Sequence, residues 1–325
     1  MDDQRKVSRR QFLQQSATGL AAISSAGLMV SCSGAENKQL MPMPKRKLGK
    51  TGLDVSILSF GGGSQFLKNK DGVWEAMLER AIEVGINYFD TSQSYQWGAK
   101  LSSEERFGLI LPKYRDKIIL STKFDSRDVY DALKMTDRAL TRMKTDYLDI
   151  LMIHSIEPTE DLDIIEKGVY KEMVRLKEEG VARFIGFSSM NSSQKSKEII
   201  ERLDFDVTML AMNPTKYGDY AEVALPAARQ KNMGVIAMKA MRDIVGKGAT
   251  PEELLHYEWN LDGVASAVVG HVGMKTFEEN IRLAQQFGSA NVSLNREKLE
   301  KNLAHLAGPH ALCWARPGYY DGMMV

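Results

Sequence analysis

From Val55 onward the chain alternates short, almost wholly apolar runs with longer stretches in which apolar residues recur every three or four positions. The runs "VSILSFG" (Val55–Gly61), "INYFD" (Ile86–Asp90), "KIILSTKF" (Lys117–Phe124) and "YLDILMIH" (Tyr147–His154) predict four strands. "ARFIGFSS" (Ala182–Ser189), "DVTMLAMN" (Asp206–Asn213), "MGVIAMKA" (Met233–Ala240) and "VASAVVGH" (Val264–His271) predict four more. Between and after them, helical periodicity covers Gly72–Val84, the segment "SSEERFGLIL", a long stretch ending at Met143, and Asp161–Glu179. It returns over Ser192–Arg202, Tyr220–Lys231, Pro251–Asn260 and Thr276–Phe287. A last helix, Asn295–Ala307, precedes an irregular tail, "GPHALCWARPGYYDGMMV".

Strands that are apolar on both faces belong to a parallel sheet covered on both sides. Eight strand–helix units in succession, with no polar break between them, predict an α/β fold of the (β/α)8 TIM-barrel type. A doubly wound open sheet is the rival, but it would carry a GxGxxG turn after its first strand. "GGGS" (Gly61–Ser64) lacks that spacing. The barrel is assigned to residues 46–325.

Composition narrows the function. Of 325 residues, 43% are hydrophobic and 26% charged, and the formal net charge is +1. No basic stripe dense enough for a nucleic-acid footprint occurs, so that partner class is set aside. Cys32 and Cys313 are too few and too far apart to frame a disulfide scaffold or a metal site. The 18 methionines lie scattered in apolar segments and read as core filling.

The first residues differ in kind from the rest. Arg9 and Arg10 precede the weakly apolar run "ATGLAAISSAGLMV", which is too short and small-residued to span a bilayer. "SRRQFLQQ" resembles a twin-arginine export signal, which implies passage through that machinery in the folded state. "MVSCSG" resembles a lipoprotein box, with Met29 where leucine is usual. Two readings stand for Cys32: a lipid anchor, or a free thiol beside an ordinary cleavage site. Residues 1–31 are expected to be a removed signal and residues 32–45 a polar tether. The expected location is the periplasm or its membrane surface.

In a TIM barrel the active site lies at the C-terminal strand ends. Those ends carry Asp90, Lys123, His154 and the pair Ser188–Ser189, with Tyr95 five residues beyond Asp90. A lysine beside a tyrosine lowers the tyrosine pKa, and an aspartate keeps that lysine charged and placed. A neutral histidine can donate to a carbonyl oxygen and orient it. Singly, each has a bland explanation: a snorkelling lysine, a turn aspartate, a core histidine, a rim aromatic. Four on successive strand ends point to one site. No cluster with metal-ligand spacing occupies those ends, which disfavours a metal hydrolase.

"RKLGKTGLDVSILSFGGG", "NYFDTSQSYQWG", "IILSTKF", "YLDILMIHS" and "RFIGFSSMN" together resemble the aldo-keto reductase family, from about Lys45 to Phe287. The resemblance implies a barrel oxidoreductase that moves hydride between a nicotinamide dinucleotide and a small carbonyl or alcohol substrate. It implies Tyr95 as general acid, Lys123 as the residue lowering its pKa, Asp90 as partner of Lys123, and His154 as the carbonyl-orienting residue. It places Gly63, Ser64 and Asp90 against the cofactor and Ser188 and Ser189 at the nicotinamide carboxamide, with serine in the second position instead of asparagine. Met209 or Asn213 stands for a strand-six glutamine, and Met238 for a tyrosine under the ring. "DIVGKGA" supplies Gly246, Lys247 and Gly248 near the pyrophosphate; Gly273 and Lys275 form an anion site, and Glu279 and Asn280 approach the adenine.

NADP is the implied cofactor, with NAD as the alternative; no metal and no iron–sulfur cluster is expected, since Cys313 is alone in the tail. Trp97, and the tail aromatics Trp314, Tyr319 and Tyr320, are pocket candidates, and His271 is read as structural. A different class, a cofactor-binding sensor or scaffold with incidental turnover, uses the same barrel but has no need of all four catalytic residues. Export in the folded state would let the cofactor travel inside the barrel.

Overall fold

The computed structural model describes residues 41–287 and 294–321. The segment expected to be an export signal, Cys32 and most of the expected tether lie outside the described residues. Eight parallel strands close into a barrel: β3 (Leu58–Gly61), β4 (Tyr88–Asp90), β5 (Ile119–Phe124), β6 (Leu148–Ile153), β7 (Ala182–Ser189), β8 (Val207–Ala211), β9 (Gly234–Met238) and β10 (Val264–Val269). Neighbours in sequence are neighbours in the sheet, and β10 pairs with β3 to complete the ring. Each strand is buried nearly throughout, as its unbroken apolar pattern requires.

The first predicted strand divides in two. β1 (Lys45–Lys47) and β2 (Asp54–Ser56) form an antiparallel hairpin, and β3 begins only after Ile57. The break has a local cause. The Ser56 backbone N–H donates to the Asn87 side chain at 2.8 Å, and the Ser56 hydroxyl donates to the Leu58 carbonyl at 2.7 Å, so the chain turns out of the ladder. The hairpin seals the N-terminal end of the barrel: Leu48 is fully buried, and the Lys50 N–H donates to the carbonyl of Asn232 just before β9. The opposite end is left for chemistry.

Helices surround the barrel with one apolar stripe each facing inward. Several start where a side chain satisfies a free backbone N–H. Ser102 and Glu105 form a reciprocal cap on Ser103–Ile110, and Thr250 and Glu253 do the same on Pro251–Trp259. Trp259 is buried, with its indole N–H donating to the Ile57 carbonyl at 2.8 Å. Full burial of one large apolar side chain stabilises by roughly 1.5–3 kcal/mol.

The predicted helix Asp161–Glu179 is interrupted. It runs as Leu162–Ile165, a wide π turn over Glu166–Tyr170, and Lys171–Glu178, with Gly168 in a non-helical conformation at the break. A short helix, Ser64–Leu67, follows β3, between the predicted strand and the helix predicted from Gly72. The last helix, Arg296–Leu303, tightens into a 3-10 turn over Ala304–Leu306. Beyond it the tail crosses the strand-end mouth, anchored by the fully buried Trp314 and by the Cys313 N–H donating to Asp243 at 2.8 Å.

Candidate active site

β4 and β5 lie side by side, so Asp90 and Lys123 emerge at adjacent strand ends. The Lys123 ammonium donates to Asp90 Oδ2 at 2.6 Å and to the Thr91 carbonyl at 2.8 Å. Both side chains are buried, 1% and 5% exposed. Burial pushes the Asp90 carboxyl up, against the pull of Lys123. The second carboxylate oxygen, Oδ1, has no partner among the described residues.

The turn after β4 brings Tyr95 back over this pair. Its N–H donates to the Ser92 carbonyl at 3.1 Å, and its own carbonyl receives the N–H of Ser103 at 2.8 Å. Lys123 Nζ lies 5.3 Å from the centroid of the Tyr95 ring, beside the face and not on the hydroxyl. The lysine protons go to Asp90 and Thr91. The sequence reading has Lys123 lowering the tyrosine pKa. Here it is held well above 10.0, by burial first and then by the negative charges of Asp321 and Asp90. In this state Tyr95 is a protonated donor.

β6 ends at His154, which packs edge-on against Tyr95 with ring centroids 5.6 Å apart. Its Nδ1 lies 2.6 Å from Asp125 Oδ1, and its Nε2 lies 3.1 Å from Asp321 Oδ2. Burial alone would lower its pKa, but the two carboxylates outweigh burial and raise it above 6.5. Two carboxylates flanking the ring favour its charged form, where the sequence reading expects a neutral ring. Asp125 is held down to about 2: burial opposes this, and the histidine, Tyr320 and Gln93 overcome it.

Asp321, from the tail, completes the centre. Its Oδ2 accepts from the Tyr95 hydroxyl at 2.8 Å as well as from His154. Its Oδ1 receives Lys239, at the end of β9, and the Tyr319 hydroxyl at 3.3 Å. Arg242 donates to Tyr319 at 3.0 Å and to Ser64 at 3.1 Å. Trp97 and Tyr320 pack together at the rim, 5.8 Å between centroids.

A cavity of about 420 Å³ runs from this centre toward β10. Of the sequence-predicted cofactor residues, Gly63, Ser64, Asp90, Met238 and Asn280 line it, together with the strand-six alternative Met209. The others are spent elsewhere or stand apart. The Ser188 hydroxyl receives the Ser155 N–H at 2.9 Å, and Ser189 is paired with the Tyr220 hydroxyl at 2.9 Å. Asn213 closes its own turn through Thr215. Gly246, Lys247 and Gly248 form an exposed loop; Lys275 and Glu279 are exposed, and the Gly273 N–H is held by Asn69 at 2.7 Å. His271 lines the cavity with neither ring nitrogen partnered, its pKa pushed down by burial to about 3.

The residues that the strand-end reading misses are Asp125, Lys239, Arg242 and Asp321. Lys239 lies in "AMKA", at a strand end like the other four, and Asp125 follows the strand-end Lys123 by two residues; reading every strand end to the same depth finds both. Asp321 has no such signal, because nothing local in "GYYDG" says which way the tail folds.

Tyr95 and His154 share one oxygen above a buried ion pair at the mouth of a closed barrel, an arrangement suited to acid–base chemistry. Residues 58–243 match the Aldo/keto reductase family. The chain belongs to that family and is an oxidoreductase. An uncharacterized oxidoreductase, YqkF, of Bacillus subtilis is 28% identical over 291 residues, covering 74% of this chain and 91% of that protein. L-galactose dehydrogenase of Arabidopsis thaliana is 30% identical over 267 residues, covering 77% and 81%. An aldo-keto reductase of Bacillus halodurans, solved in a holo form, superposes with a TM-score of 0.66 at 22% identity, covering 81% of this chain and 96% of that one. Among the described residues, no group of three or more His, Cys, Asp or Glu side chains is placed to hold a metal ion.

Proposed function

We propose that this oxidoreductase interconverts a small carbonyl compound and its alcohol with NADP as the hydride carrier. The observation that carries the reading is the single oxygen, Asp321 Oδ2, bound by both Tyr95 and His154. A substrate carbonyl oxygen placed there would receive two hydrogen bonds that strengthen as negative charge develops on it. Tyr95 then delivers the proton, and His154, held by Asp125, keeps the oxygen oriented. Lys123 and Asp90 keep a fixed charge pair beneath the tyrosine ring.

The cavity fits a nicotinamide nucleotide in its chemistry. Met209, Met238, Val268 and Val269 offer apolar surface for a flat ring, and Met sulfur packs well on aromatic faces. Asp90 Oδ1, buried and unpartnered, is an acceptor suited to a ribose hydroxyl. When bound, the dinucleotide supplies the hydride. Gly63, Ser64 and Asn280 are the neighbours that would hold it. The relative that acts on L-galactose suggests a sugar-like aldehyde among the substrates.

The location belongs to the same proposal. The twin arginine at Arg9–Arg10 supports export of the folded protein with its cofactor inside, and Cys32 is the candidate for a lipid anchor. Protein isolated from the periplasmic or membrane fraction should release dinucleotide on denaturation; repeated recovery of empty protein that does not take up NADP overturns the loaded-export reading. The enzyme reading is tested with Tyr95→Phe. Aldehyde-dependent oxidation of reduced NADP should fall by about 10²–10⁴-fold with cofactor binding retained. Equal rates in the variant and the wild type would refute the role of Tyr95, and bound cofactor that no carbonyl compound ever oxidises would leave the sensor reading standing.

A further inference from the structure

Asp321 is a ligand that the chain supplies to its own reaction centre. Its carboxylate lies between groups from three strand ends: Tyr95 after β4, His154 after β6 and Lys239 after β9. The side chains of His154, Lys239 and Asp321 are 1%, 8% and 7% exposed, so the charges are out of bulk water and depend on one another. Lys239 also holds a left-handed backbone, with φ at 62°, a conformation costly for a residue with a Cβ. Arg242 is occupied by Tyr319 and Ser64, whereas Lys239 meets the carboxylate directly, on the oxygen that His154 does not touch.

The two carboxylate oxygens are held differently. Oδ2 takes the pair of acids that would polarise a carbonyl, while Oδ1 takes the ammonium of Lys239 and the Tyr319 hydroxyl. Once Asp321 withdraws, the acids remain beside an ammonium that has lost its counterion. A neutral aldehyde would satisfy the first half of this site and leave the ammonium unpaired, which is costly. A 2-oxo acid satisfies both, because its ketone oxygen and a carboxylate oxygen sit on adjacent carbons.

We infer that the reaction centre selects carbonyl compounds bearing a carboxylate next to the reacting carbon, with Lys239 as the specificity residue and Asp321 as the occupant they displace. This rests on the proposed carbonyl–alcohol function. In the reducing direction the bound reduced dinucleotide would supply a hydride to the ketone carbon; as the C=O π pair moves to oxygen, that oxygen takes the Tyr95 proton, and Tyr95 regains one from solvent. The products are a 2-hydroxy acid and the oxidised dinucleotide. A tethered ligand competes at a high effective concentration, so the tail sets the threshold an external acid must exceed.

The test is binding, without reduced cofactor, so that it stands apart from turnover. The purified full chain is titrated calorimetrically with pyruvate and, separately, with 2,3-butanedione, which lacks the carboxylate. Asp321→Ala should bind pyruvate about tenfold or more tightly than the wild type, with a smaller gain for butanedione. Adding Lys239→Met should abolish the pyruvate gain and spare butanedione binding. Asp321→Asn, which keeps the size and loses the charge, should fall between, and thermal midpoints check that each variant is folded. Equal gains for both ligands would mean a plug with no preference for acids, and overturn the inference. So would a pyruvate gain that survives Lys239→Met, or no gain in either Asp321 variant. Reduction of neutral aldehydes by the wild type reports on the carbonyl–alcohol reading by itself, so the two can fail separately.

Discussion

At the scale of single residues, the centre is a chain of charges that burial makes interdependent. Lys123 and Asp90 are both buried, and removing one partner leaves the other charge without its counterion. Lys123→Met should therefore lower stability by about 3–5 kcal/mol in urea denaturation, and Asp90→Asn in the same chain should recover part of the loss. The Asp125–His154 contact has a pH signature on each side. His154 has its folded pKa raised above 6.5, so its contribution is complete below 6.5 and is lost as pH rises through the folded value. Asp125 is lowered from 3.8 to about 2, so its contribution is present above 3.8 and fades as pH falls through about 2. The stability difference between the wild type and His154→Gln should be largest between these limits, at pH about 4–6. A difference independent of pH from 3 to 9 would show that the imidazolium is not formed.

At the scale of elements, two features decide how the helices meet the barrel. Gly108 lies where Ser103–Ile110 crosses Val129–Met143, and a Cβ there would stand 1.9 Å from the Arg142 carbonyl oxygen. Backbone cannot yield as a side chain can, so Gly108→Ala should cost about 1–3 kcal/mol or more, read as a lower denaturation midpoint. The cost should be confined to stability if the crossing only supports the site. The Thr250–Glu253 cap starts the helix after the exposed Gly246–Gly248 loop. Thr250→Ala should cost about 0.5–2 kcal/mol, visible in the same measurement. These element ends are legible in sequence because caps and glycines act locally. The π turn at Glu166–Tyr170 is not, since its apolar period is continuous with the helices on either side.

At the scale of the whole molecule, the chain couples a sealed end, an open end and a tail that returns to the open end. The β1–β2 hairpin closes the barrel below, and Trp314 anchors the segment that carries Asp321 above. The proposed N-terminal export signal belongs to this scale as well. Replacing Arg9 and Arg10 by lysine should move the protein from the periplasmic or membrane fraction to the cytoplasm, followed by fractionation and immunoblotting. An unchanged distribution would refute the twin-arginine route.

By itself the sequence determined the eight-strand barrel and the positions of Asp90, Lys123 and His154 at its strand ends, with Tyr95 in the turn after Asp90. Burial on both faces imposes unbroken apolar runs, and strand-end chemistry falls at the close of each run. Tertiary structure decided which partners the site groups meet, and the occupant. Whether Tyr95 is acidified or held protonated depends on which partner its hydroxyl meets, and that partner, Asp321, lies 226 positions away. Likewise the charged form of His154 is favoured because two carboxylates from separate segments close on its two nitrogens. Electrostatic interaction falls off with distance in space and takes no account of separation along the chain, so no local pattern could have announced it.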